Sequence, residues 1–208
     1  MEPNYKITKE DLKEALTNPT RAKGVGLKGG FIKVIQEKLG EEALRKIEED
    51  SKNLGLPIVL KGIKETEWYP AGIIIELFYI LQEKFNFKKK DFAELGEKVA
   101  KFSPAIRLLM KYFAIPEKMA KIGGPRLWYR FFDRGEAEAS EFKESKTGGS
   151  LTVRVKNFKL HLSHFLYLGH FFLGMLRLAR KFKETTVEET KFPFRGDKYQ
   201  EYLLKWKF

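Results

Sequence analysis

Residues 151–156 read Leu-Thr-Val-Arg-Val-Lys, and this short stretch decides the fold class. Apolar side chains alternate with polar ones, which is the pattern of a strand with one buried face. Near the end of the sequence, Tyr202, Leu204, Trp206 and Phe208 alternate in the same way. The sequence therefore predicts a sheet in its last third, with one face packed against the rest of the protein.

The segments around that first strand complete the order strand, strand, helix, strand, strand. Residues 136–144 predict a partner strand, joined to it by a glycine-containing hairpin at 145–149. A long helix is predicted at about 161–181. It is followed by two further strands, at about 185–192 and 201–208. This order, which follows a helical first half, implies one antiparallel sheet with helices packed against it.

The pairing register of the first hairpin stays open at this point. Burial of Ala137 and Ala139 favours one face of their strand as the inner one, whereas burial of Phe142 favours the opposite face. Because successive side chains point to opposite faces, a shift by one residue would exchange the buried and the exposed sets.

The first half of the sequence is predicted to be helical. Phe31, Ile35 and Leu39 recur at helical spacing, and between Ile73 and Leu81 only Glu76 is charged, which predicts a helix buried on most sides. Pro70 suits the first position of that helix. Helices followed by strands imply an α+β fold, with an N-terminal helical part followed by β-β-α-β-β and a four-stranded antiparallel sheet.

We expect a single domain over residues 1–208. Within it, residues 1–23 form an N-terminal helical extension, 24–134 the helical part, and 135–208 the sheet with the long helix. A chain of this length buries about 70% of its unfolded surface, which is enough for a core without covalent links.

Composition excludes several classes of chemistry. The absence of cysteine excludes disulfides, thiolate zinc sites, cysteine nucleophiles and iron–sulfur clusters. The first ten residues are polar and do not resemble a secretory signal. Residues 160–176 form the longest uncharged run, and a helix of that length spans about 25 Å, short of a hydrocarbon core of about 30 Å. We expect a cytoplasmic protein that is not an integral membrane protein.

The formal net charge is +12, from 40 basic and 28 acidic side chains. Pairs such as Glu94 and Lys98 stand at the i,i+4 spacing of a solvated helix face, so we interpret the charge mainly as surface. Residues 145–183 contain eight basic side chains and no acidic one. Nucleic-acid binding is an alternative on these grounds, but we do not favour it because the sequence has no recognised nucleic-acid-binding motif.

Histidines and carboxylates offer little sign of a catalytic or metal site. His161 and His164 share one helix face, but His170 lies on the opposite side, so one metal cannot bind all three. The pair Glu136 and Glu138 is better explained by cross-strand charge pairing than by glycosidase chemistry. We therefore expect no metal site and no catalytic residue, and we favour a non-enzymatic protein. An enzyme that acts on a pigment or an aromatic ligand is a further alternative.

Three stretches of the sequence carry a resemblance to a known group of proteins. They are 29–54, beginning Gly-Gly-Phe-Ile; the Trp-Tyr-Pro at 68–70 before the apolar helix; and 123–141, beginning Gly-Gly-Pro-Arg-Leu-Trp-Tyr. These resemble an uncharacterised bacterial family of similar length. That family is similar to the superfamily of heme-NO-binding domains, vinyl-reductase-type sensor domains and TRAPP vesicle-tethering subunits.

The resemblance implies a pocket for an apolar ligand between the helices and the sheet. Heme-binding members of the superfamily have a histidine on a helix before the sheet, followed by a Tyr-x-Ser-x-Arg motif for the propionates. This sequence has no histidine before His161 and lacks that motif. Heme is therefore not supported, and we expect no cofactor.

The combined observations predict a non-enzymatic ligand-binding or sensor-like domain, with an apolar pocket for a lipid, aromatic or tetrapyrrole-like small molecule. Large aromatic side chains with a polar group are suited to such a pocket, although core packing alone would also account for them. The candidate ligand-binding residues are Trp68, Tyr69, Tyr112, Trp128 and His164. The alternatives are a protein-interaction or scaffold module acting as a homodimer, and a basic nucleic-acid-binding protein.

Overall fold

The first half of the chain is helical, as its apolar spacing predicts. The structure is a computed structural model that describes residues 5–104, 106–108 and 127–208. Two short strands interrupt the helices. In chain order the elements are α1 Lys9–Thr17, β1 Arg21–Lys23, α2 Gly24–Gly26, a π-helical turn Leu27–Ile32, α3 Lys33–Leu39, α4 Glu41–Asn53, β2 Trp68–Pro70, α5 Gly72–Phe85 and α6 Lys89–Phe102.

The last third is the predicted β-β-α-β-β unit, which confirms the α+β fold. Its elements are β3 Glu136–Glu144, β4 Gly148–Lys156, α7 Leu162–Ala179, β5 Glu184–Lys191 and β6 Tyr199–Lys207. The four strands form one antiparallel sheet in the order β3-β4-β6-β5. The helix α7 packs on the inner face of this sheet, and α6 packs against the other side of α7.

A β-bulge resolves the register that the sequence left open. Ala139 pairs with Val153, but Glu141 pairs with Thr152, so Ser140 is an extra residue in β3. The extra residue reverses the alternation, which brings Phe142 onto the same inner face as Ala139. Both apparent preferences of the sequence are thereby satisfied.

A small two-stranded ribbon was not predicted. β1 pairs with β2, with Arg21 opposite Pro70 and Lys23 opposite Trp68. Pro70 therefore ends a strand, and the prediction that it begins the helix was wrong, because α5 starts at Gly72 after the N-cap Ala71. Proline is tolerated in such an edge position, where no ladder hydrogen bond from its nitrogen is needed.

Close contact between α6 and α7 depends on a residue without a side chain. A Cβ atom at Gly96 would overlap the backbone carbonyl oxygen of Tyr167. Only glycine lets the two helices approach this closely. The contact positions α7 against both the sheet and the helical part.

The outer face of the sheet is covered by paired charges. The Lys156 ammonium lies 2.7 Å from the Glu138 carboxylate, which agrees with the cross-strand charge pairing predicted there. Arg154 contacts Glu201 at 2.6 Å. Burial would raise the pKa of Glu201, but hydrogen bonds from Arg154 and Thr190 hold it below its usual value.

None of the helices in the described part of the chain has both the length and the apolarity needed to cross a lipid bilayer.

Candidate functional site

A cavity of about 100 Å³ lies between the helical part and the inner face of the sheet. The sheet contributes small and branched side chains, from Ala137 and Ala139 of β3 and Leu151 and Val153 of β4. The helix α7 forms a second wall, and the segment 127–132 a third. The cavity lies between the helices and the sheet, where the resemblance implies a pocket.

The fourth wall is built by the π-helical turn and the residue before it. Gly26, Leu27 and Phe31 line the cavity there. A π-helical turn accommodates one more residue than an α-helical turn, and such turns are frequent at functional sites. The ring of Phe31 lies 6.1 Å from that of Tyr167 on α7, measured between ring centroids, so the wall is continuous across the two elements.

Aromatic rings surround most of the remaining space. The centroid of Phe131 lies 6.2 Å from that of Phe171, and Phe171 is stacked with Tyr167 at 6.4 Å. In the segment 127–132, the ring centroids of Trp128 and Phe132 are 4.8 Å apart. The cavity is therefore an apolar space that is lined mainly by aromatic rings.

Five of the lining residues in the described part of the chain have polar side-chain atoms: Lys23, Ser103, Trp128, Glu138 and Tyr167. Three of them are engaged by partners. The indole N–H of Trp128 donates to the backbone carbonyl of Arg134 at 2.9 Å, and the Glu138 carboxylate is bound by Lys156. The Ser103 hydroxyl oxygen accepts a hydrogen bond from the backbone N–H of Ile106.

The other two have spare hydrogen-bonding capacity. The Lys23 ammonium lies 5.2 Å above the ring of Trp68 and has no ion pair among the described residues. The Tyr167 hydroxyl has no hydrogen-bond partner in the same part of the chain. Burial raises the pKa of Tyr167, so its phenol stays protonated and available as a donor.

The aromatic residues selected from the sequence have different places around the cavity. Trp128 lines it, whereas Trp68 lies outside its wall, beneath the Lys23 ammonium. Tyr69 also lies outside, where its hydroxyl accepts from the Lys64 backbone N–H at 2.8 Å. Tyr112 lies outside the described residues.

His164 is fully buried behind the cavity wall. Its ring lies 5.6 Å from Tyr167 and 5.9 Å from Phe132, between ring centroids, and both of those residues line the cavity. Neither ring nitrogen has a hydrogen-bond partner among the described residues. Burial, with a smaller contribution from His161, lowers the pKa of His164 to about 3, so the ring is neutral at physiological pH.

The other two histidines are held by local partners. The Nδ1 atom of His161 accepts from the backbone N–H of Ser163 at 3.1 Å and caps α7. His170 lies 3.2 Å from the Glu97 carboxylate. Over residues 5–104, 106–108 and 127–208, no three histidine or acidic side chains are grouped closely enough to hold a metal ion.

Several cavity residues were not selected from the sequence. Phe31, Tyr167 and Phe171 look like ordinary core positions because they recur at helical spacing in apolar segments. The informative signal is the set of small residues that line the same cavity, such as Ala22, Gly26 and Ala139, because small residues among large rings leave space. That signal becomes readable only once the facing positions are known.

Comparison with known proteins gives a likeness in structure alone. No family model matches the sequence, and no curated protein matches it. An H-NOX protein from S. oneidensis in the Fe(II)NO state is 7% identical, with a TM-score of 0.61, covering 89% of this chain and 99% of that one.

Two further solved structures give the same result. An oxygen-binding H-NOX domain related to soluble guanylate cyclases, in its oxygen complex, is 16% identical, with a TM-score of 0.56 and coverage of 89% and 92%. The A71G mutant H-NOX protein from K. algicida is 15% identical, with a TM-score of 0.56 and coverage of 88% and 96%. The chain therefore has the fold of the H-NOX domains.

Proposed function

We propose that this chain is a non-enzymatic, sensor-like domain whose cavity between helices and sheet binds an apolar small molecule. The observation that carries the proposal is the ring-lined cavity itself. Well-packed interiors leave few voids larger than a water molecule, so an apolar space of about 100 Å³ needs an explanation. The likeness to H-NOX domains, which include an oxygen-binding one, supports a ligand site in this fold.

The size of the cavity favours a compact ligand. Cavities for drug-sized ligands measure about 300–1,000 Å³, whereas an engineered apolar cavity of about 150 Å³ binds benzene or xenon. Among a lipid, an aromatic and a tetrapyrrole-like molecule, an aromatic of one ring is the nearest in size to this cavity. A lipid chain or a tetrapyrrole would require the walls to move apart.

The residues around the cavity do not fit heme. Heme iron needs an axial histidine, cysteinate, methionine or tyrosinate ligand. The chain has no cysteine, and none of its three histidines lines the cavity. Tyr167 does line it, but burial raises the pKa of its phenol and opposes the tyrosinate form. Met175 is the remaining candidate in the described wall, and a thioether alone is a weak ligand.

Toluene titration by isothermal calorimetry tests the proposal. Wild-type protein is expected to bind toluene with a saturable, one-site isotherm. Ala139→Leu adds apolar volume inside the cavity and is expected to weaken toluene binding at least tenfold, since each displaced methylene contact is worth about 0.8 kcal/mol. Ala93→Leu is the matched control, because Ala93 is also half-buried but does not line the cavity.

Native mass spectrometry of freshly purified protein complements the titration by detecting any molecule that remains bound. Equal toluene affinity in the two leucine variants would show that binding occurs elsewhere. Absence of both toluene binding and a co-purified molecule in the wild type would refute the proposed function.

A further inference from the structure

The polar groups left free around the cavity are hydrogen-bond donors. Lys23 has three N–H donors and no ion-pair partner among the described residues, and the protonated Tyr167 phenol has no acceptor for its O–H in that same part of the chain. Among the described lining residues, Glu138 carries a carboxylate, but this group lies on the outer face of the sheet, where Lys156 binds it at 2.7 Å. A ligand that satisfies these donors must therefore carry hydrogen-bond acceptors.

The position of Lys23 indicates where a negative charge would sit. Lys23 is half-buried and is one of the residues that line the cavity, and its ammonium lies 5.2 Å above the Trp68 ring. Lysine commonly buries its stem along apolar surface and keeps its charge at the rim. The cation–π contact with Trp68 keeps the ammonium in place without neutralising it. Binding an anion at this rim avoids the cost of burying its charge inside the cavity.

The backbone next to Lys23 is fixed against the opposite wall. Its N–H donates to the carbonyl of Phe131 at 2.8 Å, and the Phe131 ring lines the same cavity. The backbone of Lys23 is therefore joined directly to the aromatic wall. A ligand whose negatively charged group is attached one or two bonds from its ring would match this arrangement.

We propose that the cavity takes a small organic monocarboxylate with a body the size of one ring, whose carboxylate pairs with Lys23 while its apolar body lies among Phe31, Phe131 and Phe171. This inference rests on the proposed function and names the ligand class of the same site. Trp68 acts in it as a positioning residue, because it holds the ammonium and lies outside the cavity wall.

Phenylacetate and toluene form the matched pair of probes, because they differ only by the carboxylate. By calorimetry at pH 7, wild-type protein is expected to bind phenylacetate at least tenfold more tightly than toluene. Lys23→Met keeps the apolar stem and removes the charge, so it is expected to abolish that preference while changing toluene affinity less than twofold. Lys28→Met is the control, since Lys28 is exposed on the following turn and does not line the cavity.

Trp68→Leu provides a second variant. It is expected to reduce phenylacetate affinity several-fold and to leave toluene affinity unchanged. Acetate should bind more weakly than phenylacetate by a factor of ten or more, because it lacks the ring.

The outcomes separate this inference from the proposed function. If toluene binds as tightly as phenylacetate, or if Lys23→Met weakens both probes equally, the carboxylate assignment is wrong and the apolar site stands. If neither probe binds the wild-type protein, both the inference and the proposed function are wrong.

Discussion

Replacing Glu76 by Gln is expected to stabilise the protein, by an amount that grows with pH. Glu76 lies in α5, is 1% exposed, and its Oε1 atom has no hydrogen-bond partner among the described residues. Burial raises the pKa of this carboxyl from 4.5 to about 8. The native state therefore keeps a proton that the unfolded chain releases, over the range between those two values.

The size of the effect follows from proton linkage. A raised pKa in the folded state means that the contribution to stability is intact below pH 4.5 and is lost as the pH rises through 8. Over this range the free energy of unfolding falls by about 1.4 kcal/mol per pH unit. At pH 7 the loss is about 3 kcal/mol, and Gln, which does not ionise, is free of it.

The assay is urea unfolding monitored by tryptophan fluorescence, for wild type and variant, at several pH values from 5 to 8. The difference in the free energy of unfolding should increase from about 1 kcal/mol at pH 5 to about 3 kcal/mol at pH 7. Glu83→Gln, at an exposed position of the same helix, is the control and should change stability by about 0.5 kcal/mol or less. A difference between Glu76→Gln and wild type that stays constant with pH would refute the reasoning.

Three further substitutions test other parts of the structure. His164→Phe should make the free energy of unfolding less sensitive to acid. In the wild type, burial opposes protonation of His164 in the folded state, so this residue lowers the free energy of unfolding by about 1.4 kcal/mol per pH unit below pH 6.5. Urea midpoints that shift equally for variant and wild type between pH 6 and 4 would contradict this. Gly96→Ala should lower stability by about 1–3 kcal/mol, seen as a lower melting temperature, because its Cβ atom would overlap the Tyr167 carbonyl; an unchanged melting temperature would show that the helices can separate freely. Arg154→Met should cost about 1–3 kcal/mol in chemical unfolding, because the buried Glu201 loses a charged partner, and no loss would mean that the remaining contacts suffice.

The sheet could be predicted because its strands are long and have one buried face. The alternation from Tyr202 to Phe208 places β6, and the same signal places β4. The bulge at Ser140 could not be predicted, since one extra residue breaks the alternation without showing which residue is extra. The three-residue strands β1 and β2 are too short for a period of two to be recognised.

The position of the cavity could be predicted, whereas most of the residues that form its wall could not. The resemblance to heme-NO-binding domains implied a pocket between helices and sheet, and the cavity lies there. Which side chains form the wall depends on facing pairs from distant segments, such as Gly26 opposite Phe131. Trp128 lines the cavity, whereas Trp68, Tyr69 and His164 stand one layer away, and a role for any of them in binding stays a prediction.

The two bulges have a consequence for how copies of this chain can associate. Both occur in the outer strands, at Ser140 of β3 and at Thr190 of β5, where the pairing register shifts by one residue. An outer strand with a bulge and exposed charges such as Lys143 and Glu188 offers no straight row of free backbone groups for a further strand. The sheet is thereby protected against growing from molecule to molecule. We therefore expect copies of this chain not to associate by pairing the outer strands of their sheets.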